Sequence, residues 1–414
     1  MAAPMPLGDP APQDGLLPRQ SSLDAESRTF HAYVHIPFCD VICGYCDFNT
    51  YTSGDLAGAS KSEYAKSVIS EIAQSEQVLK QSGLAPRRLS TVFFGGGTPT
   101  QIPAEDLVSI LASLRNTFDF VPGIEITSEA NPDSVDRQYL AKLAEGGFNR
   151  ISIGMQSAIP EVLATLERTH NPANLPEVIA AAKAVGLKTS VDLIYGAPGE
   201  SIEQWQSSVM AAIALEPDHI SAYALIVEEG TKLARQIRSG ELDEVDEDLQ
   251  ADKYELADKL LSTAGYQWYE ISNWSKSAPA SMPTNKSSHN FAYWLSQDWW
   301  GYGPGAHSHM GGVRWWNVKH PTAYASRISQ GISPALARET LNARTRLEER
   351  VLLEIRISDG LPIELIQELS PAAVGLIDHF VADGLVENNQ PGKVVLTLTG
   401  RLLADSLVRQ LTNT

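Results

Sequence analysis

From Tyr33 onward, short apolar runs alternate with stretches of helical period. Six runs read as strands: Tyr33–Ile36, Thr91–Phe94, Ile124–Ser128, Arg150–Gly154, Thr189–Tyr195 and Ile220–Leu225. Between them lie patterns such as Tyr64, Ala65, Val68, Ile69 and Ile72, at i, i+1, i+4, i+5 and i+8, which gather on one helix face. Six βα units in succession predict an α/β fold with a parallel sheet and right-handed crossovers, either doubly wound or curled into a barrel. In both arrangements ligands collect at the carboxyl ends of the strands.

Outside the core, taken as residues 29–265, the pattern changes. Residues 1–28 hold five prolines, two Arg and four acids without apolar periodicity, and are expected to form a disordered tail. They lack the apolar segment of a secretory leader. Six acids among the eight residues Glu241–Asp248 read as the N-terminal cap of a helix over Leu249–Leu261. Residues 266–340 form a Trp- and His-rich connecting region, with seven of the eight Trp between Trp268 and Trp316 and four of the nine His between His289 and His320. Over 341–414, helical stretches at Arg350–Ile355, Leu361–Leu369 and Ala372–Ala382 and a β pair near Gly384–Leu398 predict a winged-helix-like module.

Composition then removes whole classes of function. A chain of 414 residues with 43% hydrophobic and 20% charged positions is that of a globular protein of two or three domains. A net charge of −18 argues against a sequence-independent nucleic-acid binder, which needs a basic surface. No apolar run reaches the roughly 18 residues of a membrane helix. The three cysteines, Cys39, Cys43 and Cys46, fall within eight residues. An odd, clustered set is a poor disulfide framework and a good metal framework, which points to a reducing, cytosolic-type compartment.

The triplet follows directly on the first strand and Pro37. A structural zinc site wants four nitrogen or sulfur ligands, and with no second cysteine pair it would need a distant His to complete it. A cubane iron–sulfur cluster normally takes four thiolates. Three would leave one iron open to a small molecule. After the second strand come Gly95, Gly96, Gly97 and Thr98, a turn that exposes backbone to a ligand. Thr100 stands where a dinucleotide fingerprint needs Gly, and the Lys of a P-loop is absent. Glu129 and Gln156 sit at the ends of the third and fourth strands, and Arg168 lies twelve residues after Gln156. Asp192 interrupts an apolar run, which is costly unless it is paired or functional.

His35-Ile36-Pro37-Phe38-Cys39 through Cys46-Asp47-Phe48-Asn49 resembles the cluster loop of the radical S-adenosylmethionine (SAM) superfamily. The branch it is most similar to contains oxygen-independent coproporphyrinogen oxidases and HemW-type haem chaperones. The resemblance implies a partial (βα)6 TIM-like barrel and a [4Fe–4S] cluster on Cys39, Cys43 and Cys46, its free iron chelated by the amino and carboxylate groups of SAM. It implies SAM contacts at Tyr33, Tyr45, Gly96, Gly97, Thr98, Glu129, Gln156, Arg168, Asp192 and Ala224. Arg168 would hold the SAM carboxylate, and Tyr45 would stack on adenine.

Within this branch, Phe48 stands where the oxidase carries a further Cys, and residues 1–28 show no counterpart of its N-terminal extension. His289-Asn290-Phe291-Ala292-Tyr293-Trp294 resembles the His-Asn-x-x-Tyr-Trp signature of the HemW branch, and Gly301–Ser308 resembles the Gly-rich segment that follows it. This implies haem held by His289, Asn290, Tyr293 and Trp294, with His307 and His309 as rival iron ligands. The implied function is delivery of haem to apoproteins, with an electron donor for the cluster, in the cytoplasm or peripherally at a membrane. The alternative implied activity is radical decarboxylation of coproporphyrinogen III; whether SAM is cleaved is left open.

Overall fold

The structure is a computed structural model and describes residues 8–52, 60–278 and 284–413. The six predicted strands are all present, as β1 (Phe30–Ile36), β2 (Leu89–Gly96), β3 (Phe120–Ala130), β4 (Arg150–Gln156), β5 (Lys188–Tyr195) and β6 (His219–Ala224). They lie side by side in chain order, every neighbouring pair parallel. The crossovers carry α1 (Lys61–Gln81), α2 (Ala104–Thr117), α3 (Arg137–Glu145), α4 (Leu175–Ala184) and α5 (Ile202–Ala214). The apolar stripe of α1 is buried as its spacing requires: Tyr64, Ala65, Val68 and Ile72 enter the main core, and Ile69 packs at its margin. Val68 and Ile72, both fully buried, each contribute about 1.5–3 kcal/mol by leaving water. A further helix, α6 (Glu247–Thr263), begins where the acidic run ends, with the Asp246 carboxylate accepting from the Leu249 amide at 3.0 Å.

Residues 266–340, read from the sequence as a connecting region, instead extend the sheet at both edges. β7 (Tyr266–Glu270) and β8 (Asn273–Lys276) form a hairpin joined to β6 through β8. At the other edge β9 (Asp298–Tyr302) runs parallel to β1, and β10 (His307–Met310), β11 (Val313–Asn317) and β12 (Ala335–Thr340) follow antiparallel. The edge strands β1 and β6 of the parallel core thus pair with different partners, and the barrel stays partial.

The expected disordered tail is corrected for residues 8–28. Asp9–Pro10 pairs with Ala337 and Arg338 of β12, and Gln20 Nε2 donates to the Leu341 carbonyl at 2.7 Å. Arg28 joins Arg87 on the fully buried Asp298 carboxylate. The segment is ordered by backbone pairing to an open sheet edge and by a buried ion pair, neither of which needs the apolar periodicity that its sequence lacks. Residues 1–7 lie outside the described residues. Beyond β12, the helices Ala343–Glu354, Ile363–Leu369, Leu376–Ala382, Leu398–Leu402 and Ala404–Thr412 enclose a separate apolar cluster around Val351, Ile366 and Leu407. The β pair in this module joins Leu361–Pro362 to Lys393–Val394, with one further bridge from Val386 to Leu396. Among the described residues no helix is long and apolar enough to cross a membrane.

Candidate functional site

β1 delivers the chain at its carboxyl end into the three-cysteine loop. The loop is closed at its base: the Tyr51 amide donates to the Pro37 carbonyl at 2.7 Å, and the Cys39 amide to the Tyr51 carbonyl at 3.1 Å. Phe38 is fully buried against Tyr64, which anchors the entry. The Cys46 amide turns back onto the Cys43 carbonyl at 3.1 Å, and all three thiols are free.

The glycine turn after β2 packs directly under this loop. The Gly97 amide donates to the Ile36 carbonyl at 2.7 Å, and the Thr98 amide to the Phe38 carbonyl at 2.8 Å. A Cβ on Gly97 would lie 2.6 Å from the Phe38 carbonyl oxygen and 3.0 Å from Cys39 Sγ. Gly96 has φ +113°, and a Cβ there would meet the His35 ring at 2.6 Å. These glycines are required by the approach of two backbones beside a thiol.

The three cysteines and all ten residues expected to contact SAM line one cavity of about 790 Å³. Its floor is polar because alternate residues of the core strands point inward. Thr127 and Glu129 come from β3, Arg150, Ser152 and Gly154 from β4, Ser190 and Asp192 from β5, and His219 and Ser221 from β6. Glu129 accepts from the Gly96 amide at 3.2 Å; burial, with Asp192 as a second cause, pushes its carboxyl up to about 8. Asp192 accepts from Ser152 at 2.8 Å and Ser190 at 3.4 Å; burial raises its carboxyl, and the hydroxyls oppose that shift. Gln156 closes β4 at φ +60°, a conformation that costs a non-glycine residue about 1 kcal/mol or more and recurs at ligand sites. Arg168 reaches back to the loop, with Nη1 3.6 Å from Cys43 Sγ and Nη2 3.1 Å from the Gly154 carbonyl.

Of the residues expected to hold haem, His289, Asn290 and Tyr293 line the same cavity, and Trp294 does not. His289 is fully buried with both ring nitrogens engaged, Nδ1 by Thr91 at 2.6 Å and Nε2 by Tyr293 at 2.8 Å. The direction of these bonds follows from Gln297, whose Oε1 accepts both the Thr29 amide and the Thr29 hydroxyl. With its proton committed, Thr29 must accept from Nε2 of His31, so Nδ1 of His31 accepts from Thr91. Burial holds His31 down at about 4 and His289 well below the usual range, so both rings are neutral. Thr91 therefore accepts from Nδ1 of His289, and Nε2 of His289 accepts from Tyr293. His309 is likewise engaged, by the Gln297 carbonyl at 3.1 Å and the Gly312 amide at 3.0 Å. His307 stands exposed at the start of β10, its ring beside Trp316, with no side-chain hydrogen bond to the described residues.

The sequence profile of the radical SAM superfamily matches residues 33–211. A protein of Mycobacterium tuberculosis named heme chaperone HemW is 42% identical over 385 residues, covering 93% of this chain and 95% of its own. Its namesake from Bacillus subtilis is 30% identical over 383 residues, covering 91% and 97%. The chain belongs to the HemW family of radical SAM proteins. The solved structure of coproporphyrinogen III oxidase (HemN) from Escherichia coli superposes with a TM-score of 0.78 over 95% of this chain and 92% of that one; at 22% identity this shows a shared radical SAM barrel fold.

Membership of the HemW family implies a [4Fe–4S] cluster and SAM, and the chain's own groups fit both. Among the described residues no three His, Cys, Asp or Glu side chains converge on a single-ion site. A cubane spreads its thiolates over separate irons, which suits three cysteines that line one chamber. Burial pushes the Cys39 thiol up and the Cys46 thiol to about 11, so they await a cationic partner in protonated form. Thr127 Oγ1 and Asn273 Oδ1 are buried at the cavity wall without hydrogen-bond partners, as expected of groups that meet a polar ligand. Arg150, His219 and the three serines around Asp192 escaped the sequence reading. Their signal is the period-two placement of polar residues within otherwise apolar strands.

Proposed function

We propose that this chain binds haem and hands it to haem-free acceptor proteins, with a cluster on Cys39, Cys43 and Cys46 and SAM in the barrel chamber. The observation that carries the reading is an apolar rim. Val41, Ile42, Phe48, Tyr223 and Ile226 are among the most exposed large hydrophobic residues described, and all five line the chamber that holds the three cysteines. Isolated exposed apolar residues need no explanation, but a ring of them around a polar chamber suits the edge of a flat, largely apolar macrocycle. The names of the relatives support the same cargo.

Tyr33, Tyr45, Gly96, Gly97, Thr98, Glu129, Gln156, Arg168, Asp192 and Ala224 hold SAM in this reading. When bound, SAM and the cluster supply one-electron chemistry; the chain's residues orient the ligand and exclude water. Asn290 and Tyr293 present polar groups to the chamber, and His289 fixes the Tyr293 hydroxyl. Of the three candidate histidines, His307 alone has no side-chain hydrogen bond among the described residues, so it is the iron ligand in this reading, although it stands outside the chamber lining. Trp294 ends the helix Ser288–Trp294 outside the chamber lining and has no haem contact in this reading. The acceptors are haem-requiring apoproteins in the cytoplasm, and a separate protein reduces the cluster.

Coproporphyrinogen III decarboxylation is the second reading, favoured by the shared barrel alone. Phe48 in place of a further Cys speaks against it. The test is anaerobic incubation of the cluster-loaded protein with SAM, a reductant and either coproporphyrinogen or haem plus an apo-cytochrome. Haem transfer without CO2 release supports the chaperone; CO2 release without haem transfer overturns it.

A further inference from the structure

We propose that Asn49 is a positioning residue for the three-cysteine loop, held in register by a turn that the buried carboxylate of Glu71 clamps. The inference rests on the reading of Cys39, Cys43 and Cys46 as cluster ligands, and it assigns a role to Gly303 and Gly305 of the Gly-rich segment, which the haem reading does not use.

Glu71 lies in the middle of α1 and is fully buried. It faces three neutral donors: the Gly303 amide at 2.8 Å, Asn317 Nδ2 at 2.8 Å and the Tyr324 hydroxyl at 2.6 Å. A buried carboxylate without a cation is costly, and here its acceptors are spent on fixing one turn between β9 and β10. Asn317 also donates to the Gly303 carbonyl at 2.9 Å, so both the amide and the carbonyl of Gly303 are held.

The clamped turn touches the cluster loop directly. Gly303 has φ +99°, and a Cβ on it would lie 2.6 Å from the His35 carbonyl oxygen. A Cβ on Gly305 would lie 2.5 Å from the Asn49 side-chain nitrogen. This close approach lets Asn49 Nδ2 donate to the Pro304 carbonyl at 3.1 Å and to the Lys319 carbonyl at 2.8 Å, which uses both of its hydrogens. Asn49 is three residues past Cys46, where the loop returns to its base. Its own carbonyl accepts from His35 Nε2 at 3.0 Å, which leaves Nδ1 of His35 to accept from the Tyr33 hydroxyl at 3.0 Å. The brace thus runs from Glu71 through the turn to Asn49, and on through His35 to a residue of the SAM chamber.

Three proteins decide the matter: wild type, Asn49→Asp, which turns a double donor into an acceptor facing two carbonyls, and Glu71→Gln, which sets an NH2 against existing donors. Two readouts are taken: hydrogen exchange of residues 39–51 without cluster, and iron release to a chelator after anaerobic cluster loading. Asn49→Asp is expected to raise exchange across Cys43–Phe48 and to speed iron release about tenfold, in line with the effect of removing a partner behind a metal ligand. Glu71→Gln is expected to do the same to a smaller extent, and the reduced cluster's electron paramagnetic resonance spectrum with SAM should change shape in both. Wild-type exchange and wild-type iron release in Asn49→Asp would overturn the proposal. If Glu71→Gln fails to fold, Asn49→Asp decides alone, since it alters a loop contact. If the wild type binds no cluster, the cluster reading has failed, and the exchange of the cluster-free loop still tests the brace.

Discussion

The hydroxyl of Tyr293 donates to Nε2 of His289 across 2.8 Å, while Thr91 occupies the opposite nitrogen of the same ring. A histidine so engaged, at the end of a chain of bonds fixed as far back as Gln297, has no lone pair to offer an iron. His289→Ala should therefore retain a saturable haem absorption band, with thermal stability lowered by about 1–3 kcal/mol for the broken buried network. His307→Ala should shift the band and weaken haem binding about tenfold, near 1.4 kcal/mol. Optical titration of both variants distinguishes the two histidines.

Gly97 leaves no room for a side chain beneath Cys39. Gly97→Ala should fold, because the strain falls on a loop at the barrel mouth, yet hold much less iron than wild type. Iron and sulfide analysis beside a melting curve checks this. A full complement of cluster in Gly97→Ala would refute the close-packing account.

Glu129 gives the protein a pH-dependent stability. Its folded-state value of about 8 lies above the usual carboxyl range, so burial favours the protonated form. The associated stability is complete below the unfolded value, near 4.3, and is lost as pH rises through 8, an effect of several kcal/mol. Cluster-free protein should melt at progressively lower temperature from pH 5 to pH 8, and Glu129→Gln should flatten part of that slope. Buried Glu71 and Glu270, each raised by burial to about 7, contribute to what remains.

Much of the architecture was legible because its determinants are local. The six core strands declared themselves as apolar runs, and the stripe of α1 as a helical period. The residues expected to contact SAM were named by resemblance, and they line one chamber because strand ends converge in such a barrel. β9 was not legible: its partner β1 lies some 270 residues earlier, and parallel pairing at that separation leaves no mark on composition. The same holds for residues 8–28, whose order comes from pairing with β12 and from Asp298. His289 shows a different limit. The motif around it was visible, but only the geometry of Thr91 and Tyr293 reveals that its ring is already used.

Haem binding turns on the apolar rim. Phe48 and Ile226 are 64% and 63% exposed, so charging them should leave folding stability within about 0.5 kcal/mol of wild type. The most direct measurement is a haem titration of cluster-loaded wild type beside Phe48→Asp and Ile226→Asp, with melting temperatures recorded in parallel. Saturable binding near one haem per chain is expected in wild type, weakened about tenfold in each variant at unchanged melting temperature. No saturable haem binding in wild type, or equal affinity in all three proteins, would contradict it.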